Sequence, residues 1–366
     1  MKEHWEYKKL GEICEIKAGY TPKSDEISYI GDIPYFKVGD MNSEGNEIYL
    51  HKTNSYLSKD AKYFPKNSIV FPKNGAAIAT NKKRILSQPS IVDLNTAVLI
   101  PDVTQNVKFL FYFLNNIDFK DITRGGAIPT LDLKELKLHE IPYLNLEEQK
   151  RIVEELDLLS GIIEKQKQQL KELDTLAQSI FYDMFGNPII NEKGWEVKKL
   201  GEVSINLDSY RKPVTKADRQ PGPYPYYGAS GIVDYVSNFI FDGIYLLVSE
   251  DGANLLTRNQ PIAFLSYGKV WINNHAHVLD FKDHSSKIYL MFYLNLLDLK
   301  DKVKGAAQPK LTQKDLNDIN LSWPALNLQN LFASKIEAIE KQKDAITKSI
   351  EETQKLFDYT MDKYFG

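Results

Sequence analysis

Trp5-Glu-Tyr-Lys-Lys-Leu-Gly-Glu12 returns as Trp195-Glu-Val-Lys-Lys-Leu-Gly-Glu202, with seven of eight positions identical. The match continues, although its offset falls from 190 to 180, so the first copy carries about ten extra residues in between. Phe109-Leu-Phe-Tyr-Phe-Leu-Asn-Asn-Ile-Asp-Phe-Lys-Asp121 pairs with Tyr289-Leu-Met-Phe-Tyr-Leu-Asn-Leu-Leu-Asp-Leu-Lys-Asp301, and Gly125-Gly-Ala-Ile-Pro-Thr-Leu131 with Gly305-Ala-Ala-Gln-Pro-Lys-Leu311. Both copies close on Phe-Gly, as Phe185-Gly186 and Phe365-Gly366. Ordered matches of this kind identify an internal repeat, which must be recognised before the rest of the chain is interpreted. The 366 residues also exceed what a single core usually organises. The chain is therefore two halves of near 180 residues, each a body followed by a tail.

The tails have the periodicity of long helices. Ile152, Leu156, Leu159, Ile163, Gln166, Leu170, Leu173, Ala177 and Ile180 alternate steps of four and three, and so do Phe332, Ile336, Ile339, Lys343, Ile346, Ile350, Thr353 and Phe357. That is a coiled-coil seam, flanked by Lys, Glu and Gln, and a single narrow stripe needs a like partner. The nearest candidate is the other tail. Asn145 with Glu148 supplies a capping signature for the first tail, Asn327 is expected to cap the second, and each Phe-Gly supplies a glycine stop. A helix from Glu148 to Met184 would be about 55 Å long. Gln166 and Lys343, polar at seam positions, are expected to fix register. The bodies differ. They hold short β-rich runs (Ser68–Phe71, Val98–Ile100, Ile244–Val248, Ala263–Leu265), an aromatic helix apiece (107–116 and 288–297), and short capped helices after Asp132 and Thr312. The expected class is α+β, with β-rich bodies at 1–144 and 187–324 and helices at 145–186 and 325–366.

A net charge of −3 argues mildly against a nucleic-acid partner, but averages hide patches. Between Lys52 and Arg84 eight basic residues stand against one acid, Asp60. A smaller cluster holds Arg211, Lys212, Lys216 and Arg219 against Asp218. Phosphate attraction needs local charge, not total charge. The single cysteine, Cys14, excludes an internal disulfide and a cysteine-rich metal site, and is expected to be a small buried residue. The charged start of the chain lacks the apolar core of a signal peptide. Apolar runs such as Phe109–Leu114 end well short of a membrane span. A cytoplasmic protein is expected.

Catalytic patterns are missing. The repeated Gly-x-x-x-Pro turns match neither a dinucleotide loop nor a phosphate loop. Asn187-Pro188-Ile189-Ile190 lacks the second proline and the aromatic of an adenine-methyltransferase tetrad. Glu196-Val197-Lys198 has a nuclease-like form, but Glu6-Tyr7-Lys8 repeats it with no acidic partner. His275 and His277 would share one face of a strand and could together meet zinc, yet no third ligand has a recognisable spacing, and the first copy has Asn95 and Ala97 there. No catalytic residue and no metal ligand is assigned.

These strings, taken together, resemble the specificity subunit of Type I restriction–modification systems, over the whole chain. Leu10-Gly11-Glu12, Gly19-Tyr20-Thr21-Pro22 and Ile33-Pro34-Tyr35-Phe36-Lys37-Val38-Gly39-Asp40 look like the opening of such a recognition domain. Tyr224-Pro-Tyr-Tyr-Gly-Ala-Ser-Gly231, Glu250-Asp251-Gly252-Ala253-Asn254 and Asn273-Asn274-His275-Ala276-His277 look like the family's other common variant. The resemblance implies two target recognition domains joined by an antiparallel two-helix coiled coil, each reading a half-site in double-stranded DNA. It implies as partners two modification subunits and, in the full complex, restriction subunits. S-adenosylmethionine, ATP and magnesium would belong to those partners, and this chain would hold no cofactor. An orphan specificity protein, a fragment of a single-chain methyltransferase-nuclease and a coiled-coil scaffold without DNA are the competing readings.

Base edges are read by Arg, Lys, Asn, Gln and small polar groups, and phosphates are held by Lys, Arg and backbone amides. In the first body the candidate contacts are therefore Lys73 and Asn74, then Thr80, Asn81, Lys82, Lys83 and Arg84. In the second they are Tyr210, Arg211 and Lys212, with Tyr226, Tyr227, Arg258 and Lys269, and the turn Asn273, Asn274 and His275.

Overall fold

The computed structural model describes residues 5–57, 62–126, 128–305 and 308–366. Lys59 and Asp60 of the basic run, and three alanines of the Gly-x-x-x-Pro turns, lie outside them. The chain forms two compact units, Met1–Lys165 with Ser349–Gly366, and Gln166–Lys348.

The repeated opening motif closes each body on itself. Strand Glu6–Lys9 pairs antiparallel with Glu140–Tyr143, and Glu196–Lys199 pairs the same way with Asn320–Trp323. In both copies the following Leu-Gly-Glu turns into a one-turn helix, Leu10–Ile13 or Leu200–Val203, whose leading leucine is fully buried. The start of a body is thus stitched to the strand just ahead of its tail. This accounts for identity at the two ends of the copies and divergence between them.

The first body carries a five-stranded sheet in the order Cys14–Ala18, Thr96–Pro101, Ile69–Pro72, Arg84–Leu86, Tyr49–Leu50. Beside it is a three-stranded sheet of Tyr56–Leu57, Ile33–Phe36 and Ile91–Val92. The second body has one six-stranded sheet, ordered Ile205–Asn206, Ala276–Asp280, Phe241–Ser249, Ala263–Ile272, Pro221–Gly228, Gly231–Val236. The expected strands are present; three are longer than the apolar runs that marked them, and Ile69–Pro72 is shifted by one residue from Ser68–Phe71. Ala263–Ile272 continues through Gly268 at φ +69° and exposed Tyr267, which break the apolar pattern. Cys14 is buried in the first core.

The aromatic helices, Val107–Asn115 and His284–Leu296, are the centres of the two cores. The first buries six consecutive residues, Phe109 to Leu114. Burial all round a helix means apolar neighbours on every side, here the sheet and the long helices. The second starts a turn earlier than expected, because Ser285 and Ser286 are buried and Ser286 Oγ donates to Gln329 at 2.8 Å.

Both tails are 40-residue helices, Leu146–Phe185 and Leu326–Phe365. Asn145 caps the first as expected, its Oδ1 accepting from Glu148 N at 2.9 Å. Asn327 does not cap the second. That helix begins at Leu326, Ala325 O accepts from Leu328 and Gln329, and Asn327 lies in the first turn. Within each unit opposite ends of the two helices meet, which is antiparallel pairing. In the first unit Ile152, Val153 and Leu156 share a core with Met361 and Tyr364. In the second Ala177, Phe181 and Phe185 share one with Phe332, Ile336 and Ile339. Lys343 at the seam bonds Asp174 at 2.8 Å and Glu340 at 3.0 Å, so this polar position is satisfied across the pair. The closing Phe-Gly is more than a stop signal. Phe365 packs on Phe109 at 5.2 Å and Phe113 at 6.0 Å, and Phe185 on Tyr289 at 4.8 Å. The end of one helix thereby plugs the aromatic core of the body built onto the start of the other.

Candidate nucleic-acid interface

Three loops converge at the sheet ends of each body, held by the same three backbone bonds. In the first body Lys73 N donates to Asn95 O, Leu131 N to Lys73 O and Gly75 N to Pro129 O, each at 2.8 Å. In the second, Glu250 N donates to His275 O at 2.9 Å, Leu311 N to Glu250 O at 2.8 Å and Gly252 N to Pro309 O at 3.0 Å. The frame makes Lys73-Asn74-Gly75 the counterpart of Glu250-Asp251-Gly252, and Asn95 the counterpart of His275. Gly75 at φ +76° and Gly252 at φ +107° occupy a region that side chains rarely adopt. The repeated Gly-x-x-x-Pro turn thus has a role: its proline carbonyl and the leucine after it clamp the first loop.

The side chains on this common frame differ. Asn74 Nδ2 reaches Asn95 Oδ1 at 3.4 Å, whereas His275 Nδ1 sits 2.8 Å from Asp251 on a half-exposed imidazole. Polar groups that differ on a shared scaffold suit two different base readings.

The predicted contacts divide into surface and interior. Thr80, Tyr210, Lys212, Lys269, Asn274 and His275 are exposed, and Lys73, Asn74 and Lys82 are half-exposed. Lys82 Nζ bonds Asn42, and Lys269 Nζ lies 4.8 Å from the Phe239 ring centre. The other candidates turn inward. Lys83 is 1% exposed, donates to Ile117 O at 2.9 Å and Asn81 Oδ1 at 2.6 Å, and sits 3.9 Å from the Phe119 ring centre. Arg84 donates to Lys83 O and Met41 O. Asn81 and Arg258 are left-handed residues tied to a helix end. Tyr226 and Tyr227 are buried, with the Tyr226 hydroxyl on Val214. Asn273 caps its own turn through His275 N at 2.8 Å. The basic run is therefore less of a surface than its letters suggest, because backbone carbonyls brought in from elsewhere absorb its donors.

Burial pushes the Lys83 ammonium down to about 7 against a partial offset from Asp118. Its folded value then lies below its unfolded 10.5, so the unfolded chain binds more protons between these limits and stability rises with pH across them. Lys83→Met is expected to remove this rise. Urea unfolding at pH 6.5 and 9.5 should show the wild type gaining on the order of 2 kcal/mol relative to the variant. Parallel curves for the two proteins would refute it.

A buried cluster that sequence reasoning missed lies under the second body's loops. Arg211 Nη1 donates to Glu250 Oε2 at 2.6 Å and Ala276 O at 2.8 Å, and Nη2 lies 3.3 Å from Asp208. His277 Nδ1 is 2.6 Å from Asp208 and Nε2 is 2.8 Å from Leu311 O, while Lys310 reaches Glu250 at 3.0 Å. Burial raises both carboxyls, but the His277 bond on Asp208 and the Arg211 and Lys310 bonds on Glu250 outweigh it and hold both below the usual range. Asp208, Glu250 and His277 bring ligand atoms within 4.8 Å of one another, the geometry of a metal triad. The Arg211 guanidinium already bridges the two carboxylates, and both imidazole nitrogens are engaged. The arrangement is an ion-pair cluster that ties the loops to the sheet. Its one sequence signal was His277 of the close histidine pair. The strand begins at Ala276, so His275 lies in the turn before it, on Asp251, and the two do not share a strand face.

Two equivalent loop frames with different side chains, each on a body packed against paired helices, define a two-module recognition protein. The family model for the type I restriction modification DNA specificity domain matches residues 2–174 and 192–355, and the chain belongs to that family. It is a DNA specificity subunit, the non-catalytic member of a type I system. A putative specificity subunit of Haemophilus influenzae is 35% identical over 144 residues, 39% of this chain and 37% of that protein. The chain thus aligns with about a third of that relative's length. The MjaIX specificity subunit of Methanocaldococcus jannaschii is 25% identical over 92% of this chain and 86% of its own. The EcoprrI subunit of Escherichia coli is 24% identical over 96% and 90%. The crystal structure of the S subunit from M. genitalium has the same fold, with a TM-score of 0.61 at 18% identity, covering 99% of this chain and 96% of that one.

Proposed function

We propose that each body reads one half of a bipartite site in double-stranded DNA through its three-loop frame, and that the two half-sites differ. The observation that carries this is the shared backbone clamp bearing Lys73, Asn74 and Asn95 in one body and Glu250, Asp251 and His275 in the other. The chain assembles with two modification subunits, and with restriction subunits in the complete enzyme, in the cytoplasm. S-adenosylmethionine, ATP and magnesium sit on those partners. No helix among the described residues is long and apolar enough to cross a membrane. Co-purification from the host, followed by methylome sequencing with and without the gene, tests the reading. A two-part methylated motif that vanishes with the gene supports it, and an unchanged methylome overturns it.

Lys73, Thr80 and Lys82 in the first body, and Tyr210, Lys212, Lys269, Asn274 and His275 in the second, are the proposed contacts. Lys82→Ala is expected to weaken binding to all sequences alike and to lower the log–log salt slope by about 0.9 per lost phosphate contact. Titrations from 50 to 200 mM salt that give an unchanged slope would assign Lys82 to the Asn42 contact alone.

A further inference from the structure

The first loop of each body is tied at two ends, and only one tie is written in side chains. The glycine end is held by backbone bonds that are the same in both copies. The far end leaves a short turn, Ala76–Thr80 or Asn254–Thr257, through a left-handed residue, Asn81 at φ +50° or Arg258 at φ +53°. Each of these reaches the carbonyl at the end of the aromatic helix. Asn81 Nδ2 donates to Ile117 O at 3.1 Å while its Oδ1 accepts from Phe119 N at 3.0 Å. Arg258 Nη2 donates to Leu297 O at 2.7 Å. Ile117 and Leu297 are repeat equivalents at the offset of 180. Two unrelated side chains thus perform one act at one place. Helix C-terminal carbonyls lack intrahelical donors and carry the negative end of the dipole, which makes them natural anchors for an amide or a guanidinium.

We infer that Asn81 and Arg258 are positioning residues for sequence reading: each pins its body's first loop to the aromatic helix and so fixes the pose in which the exposed turn meets DNA. The inference rests on the two-body reading above. It also reassigns Arg258 from a candidate DNA contact to an internal tie, and a phosphate contact and a tie are separable. A tie holds loop geometry, so its loss blurs discrimination at the bases that the loop reads. A phosphate contact releases counterions, so its loss lowers the salt slope equally on all sequences.

Glycine at either position removes that residue's own bonds to the helix end without straining the left-handed backbone, Lys83 keeping its separate bond to Ile117 O, so Asn81→Gly and Arg258→Gly are the test variants. Each is co-expressed with its modification partners, its melting transition is recorded, and its methylome is sequenced below that temperature. A mismatched base pair ordinarily costs tenfold or more in affinity. Arg258→Gly should erode discrimination about tenfold in one half-site only, Asn81→Gly should do so in the other half-site only, and the salt slope of each should match wild type. Relaxation of both half-sites by one variant, of neither, or a slope lowered by Arg258→Gly overturns the inference. A wild-type methylome without a two-part motif would instead sink the underlying functional reading.

Discussion

Exchanging residues 1–144 for the equivalent body of a relative is expected to replace one half of the methylated motif and leave the other half intact. The junction follows from the fold. Strand Glu140–Tyr143 must travel with its partner Glu6–Lys9, and the helix starting at Leu146 must stay with the seam. The donor body also has to fill the site vacated by Phe109 and Phe113 around Phe365, so a donor with aromatics there is required. If three base pairs of the half-site change, the original sites lose roughly 3–9 kcal/mol of binding. That is a hundredfold or more, enough to clear them from the methylome. The half-site read by the second body should keep its sequence, because its loop frame is internally bonded. A hybrid that alters both halves would show that the bodies do not read independently.

Much of this architecture was legible in the letters. The repeat could be read because the residues that stitch a body shut have the same partners in both copies. The helices could be read because a 3-4 seam admits few other conformations, and Asn145, Asp132 and Thr312 cap helices through local amides that a short pattern encodes, although Asn327 does not. The polar site was less legible for the opposite reason. Lys83 is buried by a carbonyl 34 residues away and Arg211 by one 65 residues away. No run of charge announces such distant acceptors. Arg258 and Asn81 share no chemistry at the level of residue type, so no alignment of letters pairs them. Only the position of the helix-end carbonyl does. The candidates that prove exposed were legible because turns rich in Asn, Lys and Tyr keep their side chains at the surface.

Arg211→Ala is expected to cost about 3–5 kcal/mol in the second unit, the penalty of breaking a buried pair and stranding its partner. Arg211, Asp208 and Glu250 have side chains 12%, 7% and 11% exposed, so solvent screens little of the interaction. Removing the guanidinium leaves two buried carboxylates held by His277, Lys310 and the Val278 amide, and opens the space the arginine stem filled. The sign of the pH effect follows from the lowered folded values of both acids. In the wild type their contribution is present above the unfolded 3.8 and 4.5 and is lost as pH falls through the folded values. In the variant Glu250 loses its largest offset to burial, while Asp208 keeps the His277 bond, so protonation of Glu250 relieves the strain and the deficit shrinks on acidification. Trp271, whose indole donates to Lys212 O at 2.7 Å beside the cluster, reports locally by fluorescence. Denaturant titrations at pH 7 and pH 4 should give a deficit of several kcal/mol at the first and a clearly smaller one at the second. The methylome of the variant should lose the half-site read by the second body while the other is retained. A deficit below 1 kcal/mol at pH 7, or one equal at both pH values, would show that the cluster does not hold the loops to the sheet.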